Sequence, residues 1–539
     1  MNKIGQVERN LLLLIPVIIL LVALIPLDNA VLTFLHTITC PTGVAGLNSV
    51  SVAHASDGEL IGLSTGASAF DMASDRKDVS DKQHAMAFVA QGDTSNAVLA
   101  WENAVAADPS DAEPSIYLAN QHVQVSGLPY FTLVLGATLT GDIGQGGRSI
   151  LQGAYVAQLE YNQNARLSGK ELLRLMIANA GSKSVNARAV ACQIVQAAQV
   201  DKTIVGVMGW DYSGASLNAI PLLEQAHIPM LSATSSSDFL EKLSPYFWRI
   251  VPSDTAQAID SAAYASKTLQ SKRVAVFADP NDFYSKSLAD DFIKNFTSSD
   301  QKIVAKESYT RGAKKEQDLL SHQIRDAFDK DNPDLIFLSG YSEDVRVMLT
   351  DLLQITKETP YKKFANLPVL GGDAFYVIAR YPASIRPAFT NLHFTSFAAP
   401  DEWSYLCAHG QQHACQLPIF FNEYAQDFDP LKVQPSNTYG YNLPDANAML
   451  GYDGIQTLIT ADQRASLQHP NPTPIDLQQA LSTITGTRAI QGVSGQISFG
   501  PYGDPINKSV VIVNANLTTD TVHLFSIDVS NDFLTNPER

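Results

Sequence analysis

From Tyr130 onward the chain alternates two apolar patterns. Short continuous runs rich in Val, Ile and Leu, namely "YFTLVLGA", "LLRLMIAN", "TIVGVMG", "IPMLSA", "RVAVFAD", "DLIFLSG" and "LPVLGGD", are separated by segments such as "ILQGAYVAQLEYN" and "SLADDFIKNF". A continuous run fits a strand covered on both faces, and the spaced pattern fits a helix with one buried face. Their alternation predicts an α/β fold with parallel sheets under covering helices. The runs are too many for one small sheet, and "YFWRIVPSD", Tyr246 to Asp254, divides them into two groups. Two lobes are expected.

Ahead of Tyr130 the pattern is helical. In "AMAFVAQGDTSNAVLAWENAVAADP", Ala85, Gly92, Ala97, Trp101, Ala104 and Pro109 fall at the offsets of a tetratricopeptide repeat. Small residues let two helices approach, Trp101 fills the gap and Pro109 ends the second helix. A single repeat does not bury its own face, so the segment reads as a helical hairpin docked on the next domain or on a partner. Further upstream, Lys3 and Arg9 precede an apolar run from Leu11 to Leu27, extended by Ala30 to Leu35. Such a run spans a bilayer, and positive charge stays cytoplasmic. The expectation is a single-pass anchor in the cell membrane with the body on the extracytoplasmic side. A cleaved signal peptide is the rival reading, because "AHA" at Ala53 to Ala55 suits signal peptidase, although it sits far beyond the apolar run. Cys40, in "TITC", departs from a lipidation motif.

The expected order is a cytoplasmic tail over 1–10, an anchor over 11–35, a linker over 36–65, a tetratricopeptide-like helical segment over 66–127 and a two-lobed body over 128–539. Within the body, one lobe takes about 128–251 and 395–480, the other about 252–394 and 481–539.

The net charge of −17 over 539 residues excludes the basic surface that nucleic acids require. No nucleic-acid partner is expected. There are four cysteines, two of them in "CAHGQQHAC". Outside the cytoplasm, Cys407 and Cys415 most simply close a disulfide loop; with His409 and His413 they also spell a cramped zinc set. Cys192, in an apolar helical pattern, reads as a buried thiol. The chain has no His-Glu-x-x-His and no phosphate loop, so neither an enzyme nor a cofactor is expected.

In open α/β sheets, ligands bind beyond the carboxyl ends of the strands. After "TIVGVMG" comes Ser213; after "IPMLSA" come Thr234, Ser235, Ser236 and Ser237. These neutral donors at helix starts suit a carboxylate. In the second group, "VAVFADPNDFYS" delivers Tyr284, "LIFLSGYSED" delivers Tyr341, and "PVLGGDAF" delivers Asp373 behind two glycines that let a ligand approach the backbone. An acid among aromatic faces suits an ammonium group. Together they describe a clamp for a small zwitterion.

The segments "LTGDIGQGGRSILQGAYVAQLEYN", "GWDYSGASLNAIPLLEQAHIPMLSATSSSDFLEKLSPYFWRIVPSD", "DFYSKSLADDF", "ANAMLGYDGIQTL" and "IQGVSGQISFGPYGD" resemble, in that order, the leucine-binding-protein type of periplasmic binding protein. The resemblance implies the two-lobed type I periplasmic-binding fold with a hinge. It also implies an amino-acid receptor that closes on its ligand and hands it to an ABC permease. Ser213, Thr234 and Ser236 match the family's carboxylate-binding positions, and Tyr284, Tyr341 and Asp373 its ammonium-binding positions. There are two departures: Gly146 stands where the family often has a ring, and Trp210 replaces the usual proline, placed to refill the pocket. The fold also serves as receptor ectodomains, so a ligand-sensing or scaffold role is the alternative to transport.

Overall fold

The computed structural model describes residues 40, 47, 50–141, 145–311, 316–377, 381, 384–516, 521–527 and 533–534. The chain divides into residues Met1–Thr42 and a body, Gly43–Arg539. The anchor expected over 11–35 lies outside the described residues. Among those described, no helix is long and apolar enough to cross a membrane.

The body opens with β1 (Val52–His54) and β2 (Leu60–Ser64), then three helices, α1 (Val79–Gln91), α2 (Thr94–Ala107) and α3 (Ala112–Ser126). The βα alternation follows: β3 (Tyr130–Ala137), α4 (Gln145–Ser168), β4 (Leu172–Asn179), α5 (Asn186–Val200), β5 (Ile204–Gly209), α6 (Ser213–Gln225), β6 (Met230–Ser232) and β7 (Phe247–Arg249). These strands form one sheet in the order β1-β2-β4-β3-β5-β6-β7. β3 to β7 are parallel, and β2 joins antiparallel to β4 with Gly62 opposite Asn179. The stretch read as a linker thus contains two strands that widen the first lobe. Their brevity hides them, since "VAH" is too short to show a period.

The second lobe begins with α7 (Asp254–Lys267) and continues through β8 (Arg273–Ala278), α8 (Phe283–Phe296), β9 (Lys302–Ser308), α9 (Glu316–Lys330), β10 (Leu335–Ser339), α10 (Ser342–Ile355), β11 (Val369–Gly371) and β12 (Leu392–Ser396). The chain then returns to the first lobe with α11 (Glu402–Ala408), α12 (Phe420–Phe428), α13 (Ala446–Ser466), α14 (Pro474–Leu481) and the hairpin β13 (Ile490–Gly492) and β14 (Gly495–Ile497). It finishes in the second with β15 (Val511–Asn516) and β16 (Thr521–Ile527), giving a sheet ordered β16-β15-β12-β11-β10-β8-β9. The last crossover therefore falls after the hairpin rather than near residue 481: Val493 and Ser494 donate backbone N–H groups to Asp453 of α13, and the Phe499 N–H bonds the Ile484 carbonyl. The boundary expected at residue 395 falls inside β12, which is a strand of the second sheet throughout.

Every residue of β5 and β10 is buried, as expected of strands covered on both faces. On the first lobe the covering pair is α4 and α13, joined at two reciprocal glycines. A Cβ on Gly153 would stand 1.9 Å from the Ala448 carbonyl oxygen, and one on Gly451 would stand 2.5 Å from that of Ile150. Glycine here sets the helix spacing.

The three N-terminal helices dock on the same lobe. Asn120 exchanges hydrogen bonds with the Leu175 backbone of β4, at 2.7 and 3.1 Å. Trp101 is wholly buried with its ring 5.1 Å from that of Tyr117. Beneath them Lys82, also fully buried, is surrounded by Asp78, Asp111 and Glu113, and Arg148 of α4 pairs with Asp71 and Asp75.

Cys407 and Cys415 form a disulfide, which removes both thiolates from the zinc alternative. Cys192 is disulfide-bonded too, rather than a buried thiol, and so is Cys40.

Candidate functional site

In the first lobe, two βα turns lie side by side. β5 ends at Gly209, and Trp210, Asp211 and Tyr212 lead into Ser213, the first residue of α6. After β6 the hydroxyl run mostly fastens these turns together. Ser232 Oγ accepts from the backbone N–H of Thr234 and Ser235, Thr234 Oγ1 donates to the Asp211 carbonyl at 3.2 Å, and Ser235 Oγ donates to that of Trp210 at 3.2 Å. Ser213 Oγ accepts from the Ser237 N–H at 3.3 Å. Ser236 differs: its hydroxyl is buried and completes no hydrogen bond of ordinary geometry.

In the second lobe, Tyr284 sits in the first turn of α8 and donates to Asp373 Oδ1 at 3.0 Å. Gln257 of α7 donates to the same oxygen at 3.0 Å and accepts from the Asp373 N–H at 2.8 Å. Gly372 makes this possible, since a Cβ there would lie 2.2 Å from the Tyr284 hydroxyl; at Gly371 it would strike the Phe375 ring. The glycine pair makes room for protein side chains. Tyr341 precedes α10, donates to Asp282 at 3.0 Å and sets its ring 5.2 Å from that of Tyr284. Burial pushes the Asp373 carboxyl up to about 6, against the lowering pull of the Tyr284 and Gln257 hydrogen bonds.

The lobes meet along a seam between these groups. Ser237 Oγ donates across it to the Phe283 carbonyl at 3.0 Å, and the Asp238 N–H donates to Ser287 Oγ at 3.1 Å. The Tyr212 ring lies 5.1 Å from the Tyr341 ring. Asp254, at the start of α7, is wholly buried in the seam with neither carboxylate oxygen in a well-formed hydrogen bond. Burial holds its carboxyl well above the usual range; the Ser236 and Ser287 hydroxyls face it and the Asp373 charge raises it further. Ser236 and Asp373 thus flank one buried acid. Ser213 adjoins Tyr212, which meets Tyr341, so five of the six sequence-derived residues border the same seam, while Thr234 is tied within its own lobe to the Asp211 carbonyl.

Five further residues belong to it. Asp254 and Gln257 looked like the cap and first turn of a helix, and only their spacing along one face could have singled them out. Asp211 and Tyr212 stand next to Ser213 in "WDYSG". Arg311 follows β9 in "TRGAKKE", a sequence that looks like a solvated basic loop. Its guanidinium lies 3.6 Å from the centre of the Tyr341 ring and 4.6 Å from that of Tyr212.

The two departures resolve differently. Trp210 does not refill the pocket: it is fully buried against Gly136 of β3 and donates its indole N–H to the Ala178 carbonyl at 3.1 Å. Gly146 leaves its side of the cleft to polar neighbours, Asp211 and Asn447, which a Cβ there would meet at 3.6 and 3.8 Å. Two cavities stand apart from the seam. One of about 440 Å³ lies by Arg464, His469 and Asp476, and one of about 290 Å³ is walled by Arg76, Arg148, Gln152 and Tyr376. Neither contains any of the six residues. Among the described residues no cluster of His, Cys, Asp and Glu is arranged to hold a metal.

Residues 150–518 match the family model for the receptor family ligand binding region. The chain is 26% identical over 245 residues to the Leu/Ile/Val-binding protein BraC3 of Rhizobium johnstonii, an alignment that takes in 45% of this chain and spans 61% of that relative. Its fold is similar to that of the leucine-binding protein LivK of Thermotoga maritima, at 21% identity and a TM-score of 0.58, covering 74% of this chain and 98% of the other. It is also similar to that of a solute-binding protein of an ABC transporter from Rhodopseudomonas palustris in complex with 3,4-dihydroxybenzoic acid, at 16% identity and a TM-score of 0.57, covering 75% and 98%. These neighbours share the two-lobed type I periplasmic-binding architecture, and the chain belongs to the receptor family ligand binding region, a family of ligand-binding rather than catalytic domains.

Proposed function

We propose that the chain is an extracytoplasmic solute-binding receptor that captures an amino acid or a related small zwitterion in the seam and delivers it to an ABC importer. The observation that carries the reading is the half-buried Asp373, held by Tyr284 and Gln257 beside the Tyr341 ring and facing the hydroxyl-rich turns of the other lobe. An acid kept in a partly shielded, aromatic setting is a site for a cation. The backbone N–H groups and hydroxyls at the start of α6 and after β6 suit the carboxylate of the same molecule. Closure would follow by hinge rotation about the crossovers, as a population shift toward the form in which both ends of the ligand are held. Hydrogen bonds to charged groups contribute roughly 1.5–3 kcal/mol each. A few of them supply the ~8 kcal/mol of a micromolar complex.

BraC3 and LivK, by name, bind branched-chain amino acids, and the Rhodopseudomonas protein holds an aromatic acid. That spread supports a small carboxylate-bearing ligand without choosing its side chain. In this reading the apolar run Leu11 to Leu27 anchors the receptor in the membrane with its body outside. Helices α1 to α3 precede the family match and favour a second reading, in which the same cleft senses a ligand and the helical, tetratricopeptide-like segment docks a partner. Isothermal titration of the purified chain with a panel of amino acids, amides and small carboxylates tests the first reading. It predicts micromolar or tighter binding of at least one amino acid, and a chain that binds none refutes it. Copurification of permease subunits then separates delivery from sensing.

A further inference from the structure

The Arg311 side of the seam carries polar groups that the reading above does not use. Stacked between Tyr341 of its own lobe and Tyr212 of the other, Arg311 keeps Nε and Nη2 buried and in no well-formed hydrogen bond with the described residues, although the Tyr212 hydroxyl faces the guanidinium. These two nitrogens form the side-on edge of the guanidinium, the fork that receives one planar oxygen-bearing group. Two acceptors nearby are equally unmatched. Asp211 Oδ2 is buried without a partner, its other oxygen taken by Thr138 Oγ1 at 2.7 Å. Glu343 Oε2 is buried and stands 3.8 Å from Arg311 Nη2, within ion-pair range but beyond hydrogen-bond range. Buried polar atoms left in this state are costly, and such groups in native proteins are ordinarily matched.

An aliphatic side chain arriving here would satisfy none of the four atoms. A carboxylate would serve the arginine fork but bring a third acid beside Asp211 and Glu343. A primary carboxamide offers an acceptor oxygen and two donor hydrogens in one plane, matching the fork on one side and the acids on the other. Gly146 leaves the neighbourhood of Asp211 without a ring to oppose such a group.

We propose that the preferred ligand carries a terminal carboxamide on its side chain, with its oxygen on the Nε and Nη2 edge of Arg311 and its N–H groups on Asp211 and Glu343. The inference rests on the reading of the seam as an amino-acid site. It is tested by calorimetric titration of the purified full chain with L-glutamine, L-asparagine, L-glutamate and L-leucine, before and after Arg311→Met. The expected result is that glutamine or asparagine binds at least tenfold more tightly than leucine and glutamate. Arg311→Met should then reduce the ratio of amide to leucine affinity at least tenfold. Leucine binding as tightly as both amides would overturn the inference while leaving the amino-acid reading intact, and tightest binding of glutamate would replace the carboxamide with a carboxylate. If none of the four binds, the carboxamide assignment falls, and the wider amino-acid panel decides the reading on which it rests. Should Arg311→Met not fold, as judged by its thermal transition, Asp211→Asn reports on the opposite side of the same group and should likewise lower the amide-to-leucine ratio; an unchanged ratio there overturns the assignment.

Discussion

Replacing Asp373 by Asn isolates one charge. Both hydrogen bonds to this carboxylate, from Gln257 and Tyr284, fall on Oδ1, and an asparagine oxygen can accept both, so the local packing has no reason to change. What disappears is the negative charge opposite a ligand ammonium, a charge-assisted hydrogen bond of roughly 1.5–3 kcal/mol. Affinity should fall about tenfold to a hundredfold in a calorimetric titration at pH 7. The pH dependence gives a second measure. With its carboxyl pushed up to about 6 by burial, Asp373 is about nine-tenths ionised at pH 7 and about one-tenth at pH 5, so affinity should weaken about tenfold, or ~1.4 kcal/mol, over that interval. Asp254 faces the same position, and Asp211, also raised by burial to about 6, lies by Arg311, so the variant should keep a smaller acid-side slope. Stability moves the other way. A carboxyl raised above its ordinary 3.8 holds its proton more firmly in the fold, so its unfavourable contribution is absent below pH 4, grows as pH rises from about 4 to about 6 and is level above that, at a ceiling of about 3 kcal/mol. Asp373→Asn should therefore raise the Tm of the ligand-free receptor at pH 7 while weakening binding. Unchanged affinity together with an unaltered pH profile would refute the role given to this acid.

Gly153→Ala should lower the denaturant midpoint by ~1–3 kcal/mol of stability, because a methyl group 1.9 Å from the Ala448 carbonyl oxygen must push α4 and α13 apart; an unshifted midpoint would show that the helices do not pack at this glycine. Lys82→Met removes the buried cation from Asp78 and Glu113 and leaves Asp111 with Arg76 alone, and should cost ~3–5 kcal/mol, measured as loss of the N-terminal helices' protection from proteolysis, with wild-type protection counting against the network. Alkylation in denaturant without reductant should leave Cys407 and Cys415 unmodified, with modification after reduction; labelling before reduction would return the zinc alternative.

Much of the frame was legible because parallel strands announce themselves. Continuous runs such as "LIFLSG" became wholly buried strands, and the rule that sites sit beyond strand ends pointed to residues that the fold brings to the seam. Other features depend on partners remote in sequence. β1 and β2 are strands only because the edge of β4 is there to pair with them. Trp210 occupies a ligand-facing position in sequence, yet the small residue it packs on, Gly136, turns it into the core.

The hydroxyl run makes the same point most sharply. Counting donors in "SATSSS" suggests a surplus waiting for a ligand, but Thr234, Ser235 and Ser237 donate to carbonyls of Asp211, Trp210 and Phe283, and only Ser236 is left over. Sequence supplies the inventory of polar groups; the fold decides which of them are consumed. On the proposed reading a ligand meets the remainder, and that remainder is small: the Ser236 hydroxyl and the acid Asp254 on one side, and on the other Arg311 with Asp211 and Glu343. A buried polar group left unmatched costs stability, so on this reading the same atoms select the chemistry of the ligand.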